Sequence, residues 1–310
     1  MAMVNTVLGA ITAGCLGNVL MHEHVFCSAF SKNYNGLDRN LLAERGRILL
    51  EEANKAGVTA ILDATPLQLQ RDLPLMREVS LRSGVHIIAC TGTYHFYCPE
   101  LDEMSAARIA GYMIDAFDHG FGDTGIYPGA IKCAVQDEIT PYHLKLLQAT
   151  AMAHQETGLL VTTHCTHATA LNQQKILLDM GVRPEKLVIG HVGDYYDPVL
   201  QLELLRNGSF IGIDRMHDLG TCARVITEFC VQGFADRMVL GHDRGIFMDF
   251  RQPQLSAQEV WQGQDCADTP DGRRIFLVIH DELLPAIRRT GVTDRQVEGM
   301  LRQNPARCLG

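Results

Sequence analysis

The sequence predicts an α/β chain closed into a (β/α)8 barrel, a TIM barrel of one domain over residues 1–310, with a short N-terminal hairpin and a long loop after the eighth strand. Three observations carry this expectation. Eight short apolar runs alternate with stretches of helical periodicity, the pattern of a parallel sheet built from strand–helix units. Each run is apolar throughout rather than alternating, as strands covered on both faces are. An open doubly wound sheet is the competing arrangement, but it usually shows a Gly-rich phosphate turn after its first strand, and none is present.

The elements follow in order. Thr6 to Thr12, with Gly9, Gly14 and Gly17 nearby, reads as a hairpin or cap before the barrel. The first barrel strand is Val19–Val25. A helix is expected over about Asp38–Ala56, where Leu41, Leu42, Ile48, Leu49 and Ala53 keep a helical period and Gly57 stops it. The series then continues as strand 58–65, helix 71–82, strand 85–92, helix 104–119, strand 130–135, helix 141–157, strand 159–164 and helix 168–180. Strand 187–191, helix 198–207, strand 209–214, helix 222–232 and strand 238–243 complete it. A polar loop over Arg244–Arg274 holds the single tryptophan, Trp261, and helices over 275–290 and 294–302 close the chain.

Composition narrows the function. The 310 residues are 46% hydrophobic and 20% charged, ordinary for a globular domain. No apolar run approaches the roughly 20 residues that span a bilayer, and the N-terminus does not read as a signal peptide. A net charge of −9 without a Lys/Arg-rich block argues against nucleic-acid or membrane partners. Ten cysteines occur singly, without C-x-x-C, so they are expected to be reduced thiols in a cytoplasmic protein, mostly packed in the interior.

Chemistry collects at the expected strand ends, where barrel active sites form. His22 and His24 are two apart on a strand and so share a face, with Glu23 pointing away. Two imidazoles on one strand make half of a metal site, or merely a polar strand end. Further along, strand ends carry Lys132, His164, His191 and Asp243. Four histidines and an aspartate from separate strands suit two divalent metals. Lysine has no lone pair while charged, so Lys132 reads first as a buried or rim lysine paired with an acid. A neutral lysine can instead add carbon dioxide and become a bridging carbamate. Cys133 and Cys165, next to ligands, should face outward and pack. His242 should likewise face outward and be structural. His95, His167 and His217 fall in mouth loops, with surface placement expected, while His86, His119, His143, His154 and His280 read as ordinary polar residues.

The motifs Met21-His22-Glu23-His24-Val25, Ala130-Ile131-Lys132-Cys133-Ala134, Thr162-Thr163-His164, Ile189-Gly190-His191-Val192-Gly193-Asp194, Gly212-Ile213-Asp214-Arg215, Gly241-His242-Asp243 and Asn304-Pro305-Ala306-Arg307 span nearly the whole chain. In kind, order and spacing the set resembles the phosphotriesterase family of the amidohydrolase superfamily, its lactonase branch above all. The resemblance implies that His22, His24 and Asp243 hold a more buried metal and His164 and His191 a more exposed one. Lys132, N-carboxylated, and a hydroxide would bridge the two. Zinc suits the ligands, and manganese, cobalt, nickel or iron are alternatives. The implied activity is hydrolysis of an ester in a small-molecule substrate, a lactone first and organophosphate triesters as a side activity. The hydroxide attacks, the exposed metal polarises the substrate, and Asp243 accepts or relays the proton. A phosphotriesterase or amidase could use the same metals, and a non-catalytic binding barrel is the reading from another class. Tyr94 matches a lactonase tyrosine near the metals and would contact the leaving-group oxygen. Arg215 matches an arginine that positions the leaving group or supports the mouth, unless it is tied to Asp214 or Asp194. A homodimer is the family-level expectation for assembly.

Overall fold

Each apolar run becomes a strand because its side chains are buried on both sides, against the barrel axis and against the helix layer. The structure, a computed structural model, describes residues 2–29, 37–249 and 274–310. It opens with β1 (Met3–Thr6) and β2 (Gly9–Thr12), the predicted antiparallel hairpin. The hairpin docks beneath the barrel, with the Val7 N–H donating to the Ile87 carbonyl at 2.8 Å.

Eight parallel strands follow: β3 (Asn18–Glu23), β5 (Val58–Asp63), β6 (His86–Gly92), β7 (Ala130–Ala134), β8 (Leu160–His164), β9 (Leu187–Ile189), β10 (Phe210–Ile213) and β11 (Met238–Leu240). Each is paired with its neighbour in sequence order. Closure comes where β11 meets β3. The Asp243 N–H donates to the His22 carbonyl at 3.0 Å, and a Cβ at Gly241 would lie 2.9 Å from the His22 backbone N and O. Only glycine allows that approach. The barrel interior below the site is plugged by Met21, Leu62, Ile88, Leu160, Phe210 and Val239, while alternate residues such as Leu20, Ile61, Ile131, Val161 and Ile211 face the helices.

The helices are α1 (Arg39–Lys55), α2 (Leu73–Ser83), α3 (Pro99–Asp102), α4 (Ala106–His119), α5 (Pro141–Thr157), α6 (Ala170–Asp179), α7 (Pro198–Arg206) and α8 (Leu219–Val231), then α9 (Leu284–Arg289), α10 (Asp294–Glu298) and α11 (Asn304–Leu309). Side chains of Asp38, Asp72, Ser105, Thr140, Asp197 and Asp218 accept from first-turn N–H groups and fix most of the long helix starts. None of the helices among the described residues is long and apolar enough to cross a membrane.

Several expectations are corrected. Several strands stop short of their expected ends: β3 before His24, β9 before His191, β10 before Asp214 and β11 before Asp243. His191 and Asp243 have φ of 61° and 53°, a left-handed conformation that ends strand pairing. The closing helices are interrupted by π-turns at Ile279–Leu283 and Gly299–Gln303. Each turn precedes a proline, Pro285 or Pro305, whose missing N–H removes a hydrogen bond from the regular ladder. Helix α3 and helix α11 were not expected. Within the predicted Arg244–Arg274 loop, β12 (Phe247–Asp249) pairs in parallel with β4 (Phe26–Ser28). Residues 250–273 of that loop, Trp261 among them, lie outside the described residues. The nine described cysteines are free, Cys133 and Cys165 among the buried ones, and both face the helix layer as expected.

Candidate metal centre

The strand order delivers His22, His24, Lys132, His164, His191 and Asp243 to one end of the barrel. All but Asp243, which is about 15% exposed at its side chain, are buried. The Nε2 of His24 lies 3.2 Å from Asp243 Oδ1, and that of His22 lies 3.9 Å from the same oxygen. One donor atom from each of these three residues falls within 4.8 Å of the others, a grouping able to hold a cation. On the opposite side, His164 Nδ1 and His191 Nε2 face each other at 2.9 Å. Lys132 Nζ sits 2.9 Å from His22 Nε2, between the two clusters of imidazoles.

What orients these rings is a residue that sequence reading left out of the ligand set. Asp214 follows directly on β10, and its two oxygens are shared. Oδ2 accepts from His22 Nδ1 at 2.9 Å, while Oδ1 accepts from His191 Nδ1 at 2.9 Å and the His191 N–H at 2.7 Å. Both imidazoles are thereby fixed with the proton on Nδ1 and the Nε2 lone pair aimed into the mouth, the carboxylate–histidine arrangement of metal sites. His22, His191 and Asp214 also bring one donor atom each within 4.8 Å of one another, but with Asp214 saturated by N–H donors its role is orientation. The signal in sequence was a carboxylate one residue past an apolar strand end, within the Gly212-Ile213-Asp214-Arg215 motif. Two more orienting groups were missed. Thr65 Oγ1 lies 2.8 Å from His24 Nδ1, and the Gln136 side chain accepts from His164 Nε2 at 2.5 Å, leaving Nδ1 of that ring unprotonated and facing His191.

Electrostatics agree with a metal-binding donor set. Burial, with Lys132 nearby, pushes His22 from 6.5 down to about 3, and burial beside His191 and Lys132 holds His164 well below its usual range. Burial opposes ionisation of Asp243 and Asp214, but the surrounding imidazoles outweigh it and both carboxyls sit below the usual range. Neutral imidazoles and ionised carboxylates are the forms that bind metal. Lys132 is fully buried, and desolvation lowers its pKa despite Asp243 and Asp214. Its amine has His22 Nε2 and, at 3.5 Å, the Thr163 carbonyl as partners. No carboxylate among the described residues forms an ion pair with it, which corrects the reading of an acid-paired lysine. The donor set thus fits two divalent cations, with the buried Lys132 amine beside His22.

Tyr94 follows β6 and is buried, its ring centroid 5.5 Å from that of His164. Burial and the Asp243 charge push its phenol up. Arg215 is committed on both sides: Nε donates to Asp243 Oδ2 at 2.7 Å and Nη1 to Asp194 Oδ2 at 2.8 Å. It pairs with Asp194, as one reading held, and with Asp243 rather than Asp214. His95 stacks on His164 with centroids 5.4 Å apart and is half-buried, whereas His167 and His217 are exposed, His167 pairing with Asp197. His242 is structural as expected. Its Nδ1 donates to Glu23 Oε1 at 2.9 Å and its Nε2 accepts from the Ile279 N–H at 3.2 Å, so the outward face of the His22–His24 strand is locked to the last barrel strand.

The family model for the phosphotriesterase family matches residues 2–309. A phosphotriesterase homology protein of Mycobacterium tuberculosis is 32% identical over 335 residues, covering 100% of this chain and 98% of that protein. The solved structure of the phosphotriesterase from Mycobacterium tuberculosis superposes with a TM-score of 0.87 at 31% identity, over 99% of this chain and 98% of that one. A mutant of a phosphotriesterase-like lactonase from Deinococcus radiodurans gives 0.86 at 30% identity, over 99% and 100%. With the barrel, the converging histidines and the full-length match together, the chain belongs to the phosphotriesterase family of metal-dependent hydrolases.

Proposed function

We propose that this protein hydrolyses ester bonds, with lactones as its substrates, using two divalent metal ions of which zinc is the first choice. The observation that carries the lactone reading is Tyr94, a buried phenol packed edge-on against His164 at the mouth, in a chain similar over its full length to a lactonase. His22, His24 and Asp243 would hold one metal, and His164 and His191 the other. Lys132 would bridge them as a carbamate: its neutral Nζ attacks the carbon of carbon dioxide, an N–C bond forms as one C=O π pair moves onto oxygen, and the nitrogen releases a proton to water. Bound metals supply Lewis acidity and a nucleophilic water near neutral pH.

The chain's own groups do the rest. Asp243, one oxygen held by Arg215, takes up the proton released by the attacking water at the oxygen facing His24. Tyr94, kept protonated by burial, donates its hydrogen bond to the ring oxygen that leaves. Arg215 keeps Asp243 in place, since both faces of its guanidinium are already engaged. The direct test is a panel of lactones, organophosphate triesters and amides given to purified, metal-reconstituted protein. Ring opening of lactones with the highest kcat/KM is expected. Failure on every lactone would overturn the reading, and triester hydrolysis in that case would favour the second reading, supported by the 31% identity to a solved phosphotriesterase.

A further inference from the structure

Outside the metal centre, the helix layer has a breach. Helix α2 packs on α1 and α4 packs on α5, while between α2 and α4 lies a groove of about 1020 Å3. It backs onto the outer face of β6, where Thr91 and Thr93 point away from the barrel and Gly92 and Tyr94 point into it. Its walls are mainly apolar, with Leu73, Ile109, Met113 and Phe121 among them.

One charge in this groove has no ion-pair partner among the described residues. Arg71 lines it with its guanidinium 4.2 Å from the Phe121 ring centroid. Its Nε and Nη1 are buried and donate no hydrogen bond, and no ion pair reaches it among the described residues. The hydroxyl of Thr93, also in the groove, is buried and unpartnered as well. The two carboxylates at the rim are occupied elsewhere: Asp72 caps α2 and pairs with Arg39 at 2.5 Å, and Asp115 pairs with His119 at 3.0 Å. Asp63, the nearest acid behind the arginine, is spent on the Val25 and Thr65 N–H groups at 2.6 and 3.0 Å. A cation with two buried N–H groups that meets a ring face instead of a carboxylate is costly to desolvate, and burial lowers its pKa to about 10 although the Asp63 charge opposes the shift.

We propose that this groove is a second ligand site, for an apolar-chain carboxylate whose head group pairs with Arg71 and whose chain lies along Leu73, Ile109, Met113 and Phe121. A carboxylate matches the guanidinium fork, and the length of apolar wall asks for a chain rather than a small anion. The site is independent of the reaction at the metals and stands if the lactone reading falls.

Octanoate is the probe and 1-octanol the uncharged control, with binding followed by calorimetry and by the methyl NMR signal of Met113, assigned with Met113→Leu. Octanoate is expected to bind and shift that signal, octanol to bind at least tenfold more weakly, and Arg71→Met to weaken octanoate roughly tenfold with a melting temperature no lower than that of the wild type. Ala116→Trp, which fills the groove from α4, should abolish the shift. Equal binding of octanol and octanoate, binding indifferent to both substitutions, or no shift at Met113 would each overturn the proposal. So would a dimer in solution that Ala116→Trp dissociates and octanoate leaves intact, since a second copy of the chain would then cover the groove.

Discussion

Asp214 is the residue whose removal tests the ring-orientation argument most sharply. In Asp214→Asn the side chain keeps its shape but offers one acceptor oxygen and one NH2 group. Oδ1 now accepts two donors, His191 Nδ1 and the His191 N–H, at 2.9 and 2.7 Å, whereas Oδ2 accepts one, from His22 at 2.9 Å. The amide therefore keeps its oxygen toward His191 and turns its NH2 toward His22. His22 Nδ1 must then accept, its proton moves to Nε2, and the nitrogen facing Lys132 and Asp243 becomes a donor that cannot bind a cation. Loss of an orienting partner costs roughly 10- to 100-fold in metal affinity, about 1.4 to 2.7 kcal/mol. The loss should fall on the metal held by His22 more than on that held by His164. Metal per chain after dialysis against graded chelator reads the affinity, and nitrogen NMR of the imidazoles reads the tautomer. Two metals retained with wild-type affinity, or His22 still protonated on Nδ1, would refute the reasoning. Asp214→Ala goes further, since it strands three buried N–H groups at about 1–3 kcal/mol each, and it should unfold well below the wild-type melting temperature.

Three further outcomes are expected. Lys132→Ala should lower the metal content from two per chain toward one, and intact-mass measurement of the native protein should show one added carbon dioxide that this variant lacks. Tyr94→Phe should cut lactone kcat/KM about tenfold, the value of one neutral hydrogen bond, while leaving metal content unchanged; an unaltered rate would remove Tyr94 from the reaction. The metal-free protein should lose stability as pH falls from 7 to 5. His22 drops from 6.5 to about 3 on folding, so the unfolded chain binds its proton first, and the stability present above pH 6.5 declines by about 2 kcal/mol at pH 5. Thermal melts across that range, with His22→Asn flattening the slope, provide the check.

The periodic runs that make eight strands and the six donor residues are local properties of the chain, and so they were legible in order. Strand parity alone placed His22 and His24 on one face, Glu23 on the other and Cys133 outside. What the linear order could not carry is which side chain finishes another's hydrogen bonds. Asp214 meets His22 across 192 positions, and Lys132 proves to face an imidazole rather than an acid only once β7 lies across the barrel from β3. The same holds for Arg215, whose choice of Asp243 over Asp214 depends on left-handed turns that no propensity marks, and for Arg71, an ordinary loop residue until two helices leave it half-buried with no ion pair among the described residues. Residue type and spacing determined that this chain can gather metals; tertiary closure decided how each ligand is turned toward them, because orientation is set by contacts between strands that sequence keeps far apart.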